Sequence, residues 1–315
     1  MRASFYERNQ RFRIGEAPRP VPAAGEALLR VRRVGICGTD LHIFQGHLDH
    51  RIPLGGTIGH ETLADVVEAP GDSGFRPGER VVVEPLKVCG ACRACRMGAA
   101  YLCYRLRVLG VEEPGGMQEY WAVPAARLLR VPATLGDDEA ALIAMVARRR
   151  GARVVVSEVN PFRVDILRTL GLDVVGPGQD LKAHVEAWTG GDGADVVFEV
   201  TGNPAAVRVM TDLVRVWGTI SMVAIHGEPL PVDLYRFFAR ELTMHGSRLY
   251  SRGDWEEAIS LAASGAVTLA PLVTRRIPLE SLQQGMEETL RGGPVMKVLV
   301  DLMGGPEMAP APRRS

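Results

Sequence analysis

The chain has 315 residues, of which 46% are apolar and 23% charged, an ordinary globular composition with room for about two domains. Its formal net charge is zero, which argues against nucleic acid or another polyanion as a partner. No apolar run approaches a membrane span, and the opening MRASFYERNQRFRI lacks the apolar core of a secretory signal, so a cytoplasmic protein without a membrane partner is expected.

In chain order, the N-terminal segment reads as alternating strand, and residues up to about 136 are dense in short β segments and turns. Leu28–Val34, Thr62–Glu68 and Arg80–Glu84 read as strands, with turns at Pro70-Gly71 and Pro77-Gly78. Within this region a thiol, an imidazole and a carboxylate fall close together: Cys37 in Gly35-Ile36-Cys37-Gly38-Thr39-Asp40-Leu41-His42, then His60 and Glu61 in Gly59-His60-Glu61. An open zinc site takes three protein ligands plus water or substrate. Cys37, His60 and Glu61 would supply such a set with zero net charge, or Glu61 stands behind the ligands and a more distant residue is the third. Next come Cys89, Cys92, Cys95 and Cys103, spaced C-x2-C-x2-C-x7-C. That spacing lets one loop wrap four thiolates around one ion, as in a closed structural zinc site, with Arg93, Arg96 and Arg105 near enough to offset the negative charge. Two disulfides or an iron–sulfur cluster are the other uses of four cysteines.

Beyond residue 151 the pattern becomes strand and helix in alternation. Val154–Ser157 is a buried-type strand. Asn160 caps a helix with Pro161 at its first position and Gly171 past its end. Asp195–Val200 is the next strand, Asn203-Pro204 opens a helix closing near Gly218, and Thr219–Ala224 is a further strand. Asp254 with Glu257 resembles a capping box for a helix through Ala262. Alternation of this kind argues a parallel, doubly wound sheet. The tail from Gly304, rich in Pro and small residues, is expected to be disordered.

Taken together, GICGTDLHIFQG, the GHE, CGACRACRMGAAYLC, VVVSEVNPFR, DVVFEVTGNPAA and GSRLYSRGDWEEAI resemble the sorbitol/polyol and L-threonine dehydrogenase branch of the zinc-dependent medium-chain alcohol dehydrogenases, over about residues 5 to 301. The resemblance implies an α/β fold: a β-rich GroES-like catalytic lobe plus a Rossmann-type doubly wound sheet. It divides the chain into a zinc-binding lobe (1–143), a coenzyme domain (144–266), a return to the catalytic lobe (267–303) and the tail (304–315). It implies one catalytic zinc at Cys37 and His60, with Glu61 at or near the metal, and one structural zinc at the four cysteines. It also implies hydride transfer between NAD and a secondary alcohol, polyol or 3-hydroxy amino acid. Thr39 would contact the substrate oxygen, His42 would pass the proton outward through the cofactor ribose, and Asp40 would orient His60. Glu158, at the end of its strand, would bond the ribose hydroxyls of NAD and repel a 2′-phosphate. Arg163 would lie near the adenosine. His47 and His50 read as surface. The loop Gly46–Gly56 varies in the family and sets substrate choice. Thr219–His226 and Leu242–Gly246 match the family's dimer edge, so a homodimer or homotetramer is expected.

One family feature is missing from the sequence. A strand, a G-x-G-x-x-G loop and a helix should precede the strand at Val154, but Asp137–Ile143 runs straight into Ala144–Gly151. Roughly thirty residues, about one βα unit, have no counterpart. Only Arg148 to Arg153 would remain as a crossover, too few for a parallel neighbour, so 137–150 reads as one fused helix, acidic at its start and triple-arginine at its end. In the strand order 3-2-1-4-5-6 the absent strand is the central one, and its loss leaves a gap of about 9.6 Å. Gly176-Pro177-Gly178 and Gly191-Asp192-Gly193 do not replace the phosphate loop and read as turns. Ala144 stands where the family carries an acid that approaches the catalytic zinc. A second reading follows: a zinc-binding, dehydrogenase-like protein with lost or impaired cofactor binding, serving as a binding or scaffold protein.

Overall fold

The structure, a computed structural model, describes residues 1–135, 152–267 and 269–304. It divides into two compact units, Met1–Arg150 with Tyr250–Ser315, and Gly151–Leu249. The expected fused helix at 137–150, the role of Ala144 and the tail beyond Gly304 lie outside the described residues.

In the first unit, β1 (Arg2–Tyr6) and β2 (Phe12–Glu16) form an antiparallel hairpin from the alternating N-terminal segment. The main sheet is built on β3 (Glu26–Gly35), β4 (Glu61–Glu68) and β5 (Arg80–Val83), all antiparallel. Helix α1 (Gly38–Phe44) follows β3. The cysteine lobe holds the short pair β6 (Leu86–Lys87) and β7 (Arg107–Val108), with α2 (Arg93–Arg96) between them. Strands β8 (Tyr120–Pro124) and β9 (Leu128–Arg130) complete this stretch, β8 on β3 and β9 on β5.

In the second unit, β10 (Val155–Ser157) pairs in parallel with β11 (Asp173–Val175). Between them runs α3 (Pro161–Thr169), where the Asn160 side chain accepts from the amide of Phe162 and Pro161 occupies the first turn. Helix α4 (Leu181–Thr189), capped by Asp180, leads to β12 (Ala194–Glu199). Then come α5 (Pro204–Leu213), β13 (Val214–Met222), α6 (Leu234–Arg240) and β14 (Thr243–Gly246), with β12, β13 and β14 parallel in that order. Helix α5 stops at Leu213 rather than near Gly218, because β13 begins at once and is nine residues long. Among the described residues the parallel strands of this unit form two pieces, β10-β11 and β12-β13-β14. Parallel strands are normally covered on both faces, yet Val196 and Phe198 on one face of β12, and Val200 just past its end, are exposed, Phe198 by 64%.

The chain re-enters the first unit at Tyr250. Helix α7 (Arg252–Ala263) is capped by Ser251 with Asp254 as its partner, one turn earlier than the Asp254/Glu257 reading. Trp255, Ala258, Ile259 and Ala262 form its buried face, at i, i+3, i+4 and i+7. They pack on Leu63, Val82, Leu129 and Leu299, so this helix belongs with the main sheet of the first unit, and the expected boundary at 266 moves back to about Tyr250. Strands β15 (Val273–Pro278) and β16 (Lys297–Asp301) then join the sheet through β16 on β3, with α8 (Leu282–Leu290) between them. Among the described residues no helix is long and apolar enough to cross a membrane.

Candidate active site

Cys37 is the N-cap of α1, in extended conformation, and that is why the helix can present its sulfur. The Thr39 amide donates to Cys37 Sγ at 3.2 Å, and the Cys37 amide donates to Asp40 Oδ2 at 2.9 Å. One turn of helix thus fixes Cys37, Thr39, Asp40 and His42 relative to one another. His60 and Glu61 arrive from the other side, at the head of β4, in a peptide whose shape is set by glycine. Gly59 has φ +102°, and a Cβ there would meet Met117 Cγ and Val34 Cγ1 at 2.8 Å. The loop Gly110–Met117 lies directly on this segment: the amides of Gly115, Met117 and Gly116 donate to the carbonyls of Thr57, Ile58 and Gly59 at 2.8, 3.0 and 2.8 Å.

The result brings Cys37, His60 and Glu61 together, each able to offer one ligand atom within 4.8 Å of the others. Cys37 Sγ lies 2.9 Å from His60 Nε2. Behind the ring, His60 Nδ1 lies 3.5 Å from Asp40 Oδ1, and neither atom has another hydrogen-bond partner. Asp40 is fully buried, and burial raises its carboxyl pKa against the opposing pull of His60 and the Cys37 amide. Burial alone would lower His60, but Cys37, Asp40 and Glu61 outweigh it and push it up to about 10. Three acidic groups crowding one imidazole is a donor set that calls for a cation. With Nε2 toward the thiol and Nδ1 toward a carboxylate, the arrangement fits a divalent metal of the zinc type.

Sequence reasoning missed Lys297. Its ammonium pairs with Glu61 Oε2 and is 5% exposed. Burial works against its charge, but Glu61 and then Cys37 more than compensate, so its pKa is raised. The available signal was a lone lysine in the apolar run Val295–Val300, since a lysine is almost never buried without a partner. Gly35 makes room for the pair, as a Cβ there would collide with the Glu61 carboxylate and lie 2.9 Å from Lys297 Cε.

The four lobe cysteines also converge, with sulfurs within 4.8 Å of one another. Cys92 Sγ lies 3.5 Å from Cys95 Sγ and 4.0 Å from Cys103 Sγ, too far for disulfides and close to the roughly 3.8 Å edge of a zinc–thiolate tetrahedron. Backbone amides point at the sulfurs: those of Cys89 and Arg105 both reach Cys103 Sγ at 3.3 Å. The Cys95 and Tyr104 amides hold the Cys92 thiol down to about 6, which favours the ligating thiolate. Of the three arginines, Arg96 is spent on the Ala91 carbonyl.

In the second unit Glu158 and Arg163 are brought together at 3.9 Å, and Glu158 Oε1 accepts from the Asn160 amide at 2.9 Å. Back in the first unit, His42 is not alone: its Nδ1 lies 3.2 Å from Nδ1 of His47.

A β-rich lobe carrying two cysteine-containing clusters that could each hold a metal ion, joined in one chain to parallel βα units, is the arrangement of a metal-dependent oxidoreductase. Comparison with known proteins agrees. A model of the alcohol dehydrogenase GroES-like domain matches residues 23–133, and one of the zinc-binding dehydrogenases matches residues 141–264. The chain is 38% identical over 337 residues to 2-dehydro-3-deoxy-L-galactonate 5-dehydrogenase of Pseudoalteromonas atlantica, covering 96% of this chain and 98% of that one. It is 30% identical to L-threonine 3-dehydrogenase of Anaeromyxobacter sp. (strain K), covering 90% and 93%. Among solved structures, 2R,3R-butanediol dehydrogenase from Bacillus subtilis superposes with a TM-score of 0.84 at 25% identity, covering 95% and 99%. The chain belongs to the zinc-dependent alcohol dehydrogenase family and is an oxidoreductase. The comparisons give no support to the scaffold reading.

Proposed function

We propose that the protein transfers hydride between NAD and a secondary carbinol in a small polyol, hydroxy acid or 3-hydroxy amino acid. The observation that carries this reading is the Cys37, His60 and Glu61 cluster backed by Asp40. The named relatives support the substrate class, because threonine, a deoxy-galactonate and 2,3-butanediol all present a secondary alcohol beside another polar group.

Cys37 and His60 would hold a catalytic zinc, with Glu61 beside it, and the four lobe cysteines a structural one. The catalytic ion would supply Lewis acidity toward an alcohol oxygen, and NAD would supply the hydride acceptor. The chain's own residues do the rest. Asp40 fixes the His60 ring so that Nε2 faces the thiol. Lys297 holds the Glu61 carboxylate and balances its charge. Thr39, two residues past Cys37, orients the substrate hydroxyl. His42 carries the alcohol proton outward, and its pKa is lowered by burial and then by His47, so it releases a proton readily. Glu158 selects NAD over NADP through the ribose, with Arg163 beside it. A homodimer or homotetramer and a cytoplasmic setting complete the proposal.

We also infer that the first nucleotide-binding βα unit is absent. In support, a match over 337 residues against a chain of 315 leaves at least 22 positions without a counterpart here. The two-piece parallel sheet of the second unit agrees with that reading.

The test is metal analysis of the purified chain together with NAD reduction on L-threonine, D-sorbitol and 2,3-butanediol. Two zinc ions per chain, with turnover of at least one substrate lost on Cys37→Ala, is the expected result. Turnover that persists in Cys37→Ala would overturn the assignment.

A further inference from the structure

The glycine that ends α1 creates a contact that helical spacing alone would not. His42 and His47 are five residues apart, so on a continued helix their side chains would diverge. Instead Gly46 takes φ +84°, in the left-handed region, and the chain reverses: the amide of His47 donates to the His42 carbonyl at 3.0 Å. The two rings then face each other, with centroids 5.5 Å apart and the Nδ1 atoms at 3.2 Å. One Nδ1 must carry a proton and the other accept it. The inner ring, His42, is half-buried, and the outer ring, His47, is exposed.

We propose that His47 is the outer member of a two-histidine proton relay. The proposal rests on the reading of His42 as the residue that carries the alcohol proton outward. Oxidation of an alcohol by NAD releases one proton per turnover, and it must reach solvent. A proton arriving at His42 forms an N–H bond at Nε2, and the Nδ1–H bond of His42 breaks. That proton forms the Nδ1–H bond of His47, and the Nε2–H bond of His47 breaks, releasing a proton to water. Both rings end neutral in the other tautomer, and the pair resets when each ring, the half-buried His42 as well as the exposed His47, exchanges its N–H proton with water. No redox partner beyond NAD is needed.

The surrounding charges leave the pair free for this. Asp49 accepts from the Tyr6 hydroxyl at 2.8 Å, and Arg51 donates to Glu112 at 2.7 Å. His50 is exposed. The depressed pKa of His42, caused by burial and then by His47, directs the proton outward.

The experiment compares the zinc-loaded full chain with His47→Gln and, as a surface control, His50→Gln. NAD reduction is followed on L-threonine, D-sorbitol and 2,3-butanediol, in dilute buffer and with added imidazole. In dilute buffer, kcat of His47→Gln should fall about tenfold, less than the roughly 100-fold or more of a group that moves a proton in the transition state because His47 acts one step further out, with KM unchanged and with recovery in imidazole. His50→Gln should match the parent. A second arm follows the His42 ring by NMR. Removing His47 takes away the like charge that lowers His42, so the His42 titration midpoint should rise. A parent chain that turns over none of the three substrates sinks the functional reading and the relay with it. An active parent with an unchanged kcat in His47→Gln, a loss that imidazole does not rescue, or an unmoved His42 midpoint overturns the relay alone.

Discussion

The peptide that delivers His60 has almost no slack, and Gly115→Ala should expose that. Gly115 does not need a left-handed backbone, so the effect of the substitution is steric. Its Cβ would lie 2.5 Å from Gly110 Cα, from the Gly59 carbonyl oxygen and from the Ile58 carbonyl carbon, all of them backbone atoms. Carbon atoms at optimal contact sit about 3.5–4.0 Å apart, so the two segments must separate by about 1 Å. Hydrogen bonds from Gly115, Gly116 and Met117 to the 57–59 peptide oppose that movement. Overpacking costs about 1–3 kcal/mol, and a clash against backbone on both sides belongs at the upper end. For a unit of this size, about 3 kcal/mol is a fall of roughly 6–12 °C in Tm. Because the displaced peptide carries His60, one zinc ion should also be lost while the four-cysteine site keeps its own. The control is Gly71→Ala, where a Cβ meets nothing within 4 Å. The assay is thermal unfolding with metal analysis on the three proteins. A Gly115→Ala chain within 0.5 kcal/mol of Gly71→Ala (roughly the scatter of surface substitutions) and still holding both ions would refute the reasoning.

Lys297→Met should destabilise the zinc-loaded protein by about 3 kcal/mol, the low end for a broken buried pair, since it strands a Glu61 carboxylate that is only 13% exposed. Adding Glu61→Gln should recover most of that loss, and urea unfolding of the four proteins in the cycle would show additive losses if the pair were uncoupled. Asp40→Asn keeps an acceptor for the Cys37 amide but removes the charge facing His60, so zinc affinity at that site should fall about 10–100-fold in chelator competition, and an unchanged affinity would count against the orienting role. Glu119 gives a pH prediction. Burial would raise its pKa, but hydrogen bonds from the Arg2 amide and guanidinium, both at 2.8 Å, hold it below the ordinary 4.5. Its stabilisation is therefore complete above that value and is lost as pH falls through the lower folded-state value. The acid limb of a urea midpoint against pH should be shallower in Glu119→Gln, and an identical limb would rule the contribution out.

The parts of the site legible in the sequence are those whose spacing is local. Cys89 to Cys103 sit in one loop and Cys37 to His42 on one helical turn, so chemistry and spacing suffice to group them. Lys297 was not legible because its partner, Glu61, is 236 residues away and meets it only when β16 and β4 flank β3. The same holds for α7. Its amphipathic period was readable, but which sheet its apolar face covers is decided by long-range packing on Leu63, Val82 and Leu299. The early end of α5 shows a different limit. Val214, Val216 and Trp217 suit a helix face and a strand alike, and the parallel partner Ala194–Glu199 decides for strand.

The nucleotide half raises a question of affinity. In family members the glycine loop and the helix after it aim backbone amides at the pyrophosphate, and this chain has no G-x-G-x-x-G ahead of Val154. Glu158 and Arg163, proposed above for the ribose end, lie 3.9 Å apart, and β12 keeps the apolar sequence of a covered strand although Val196 and Phe198 are exposed. A hydrogen bond to a charged group contributes about 1.5–3 kcal/mol, so losing two to the pyrophosphate removes about 3 kcal/mol or more. That corresponds to a Kd for NADH about 100-fold weaker than in a relative that carries the loop, with the Bacillus subtilis butanediol dehydrogenase as the comparison protein. NADH fluorescence titrations of the two zinc-loaded proteins, side by side, measure the ratio. A ratio within threefold would mean that other residues of this chain cradle the phosphates, and the loop would then be dispensable to this enzyme.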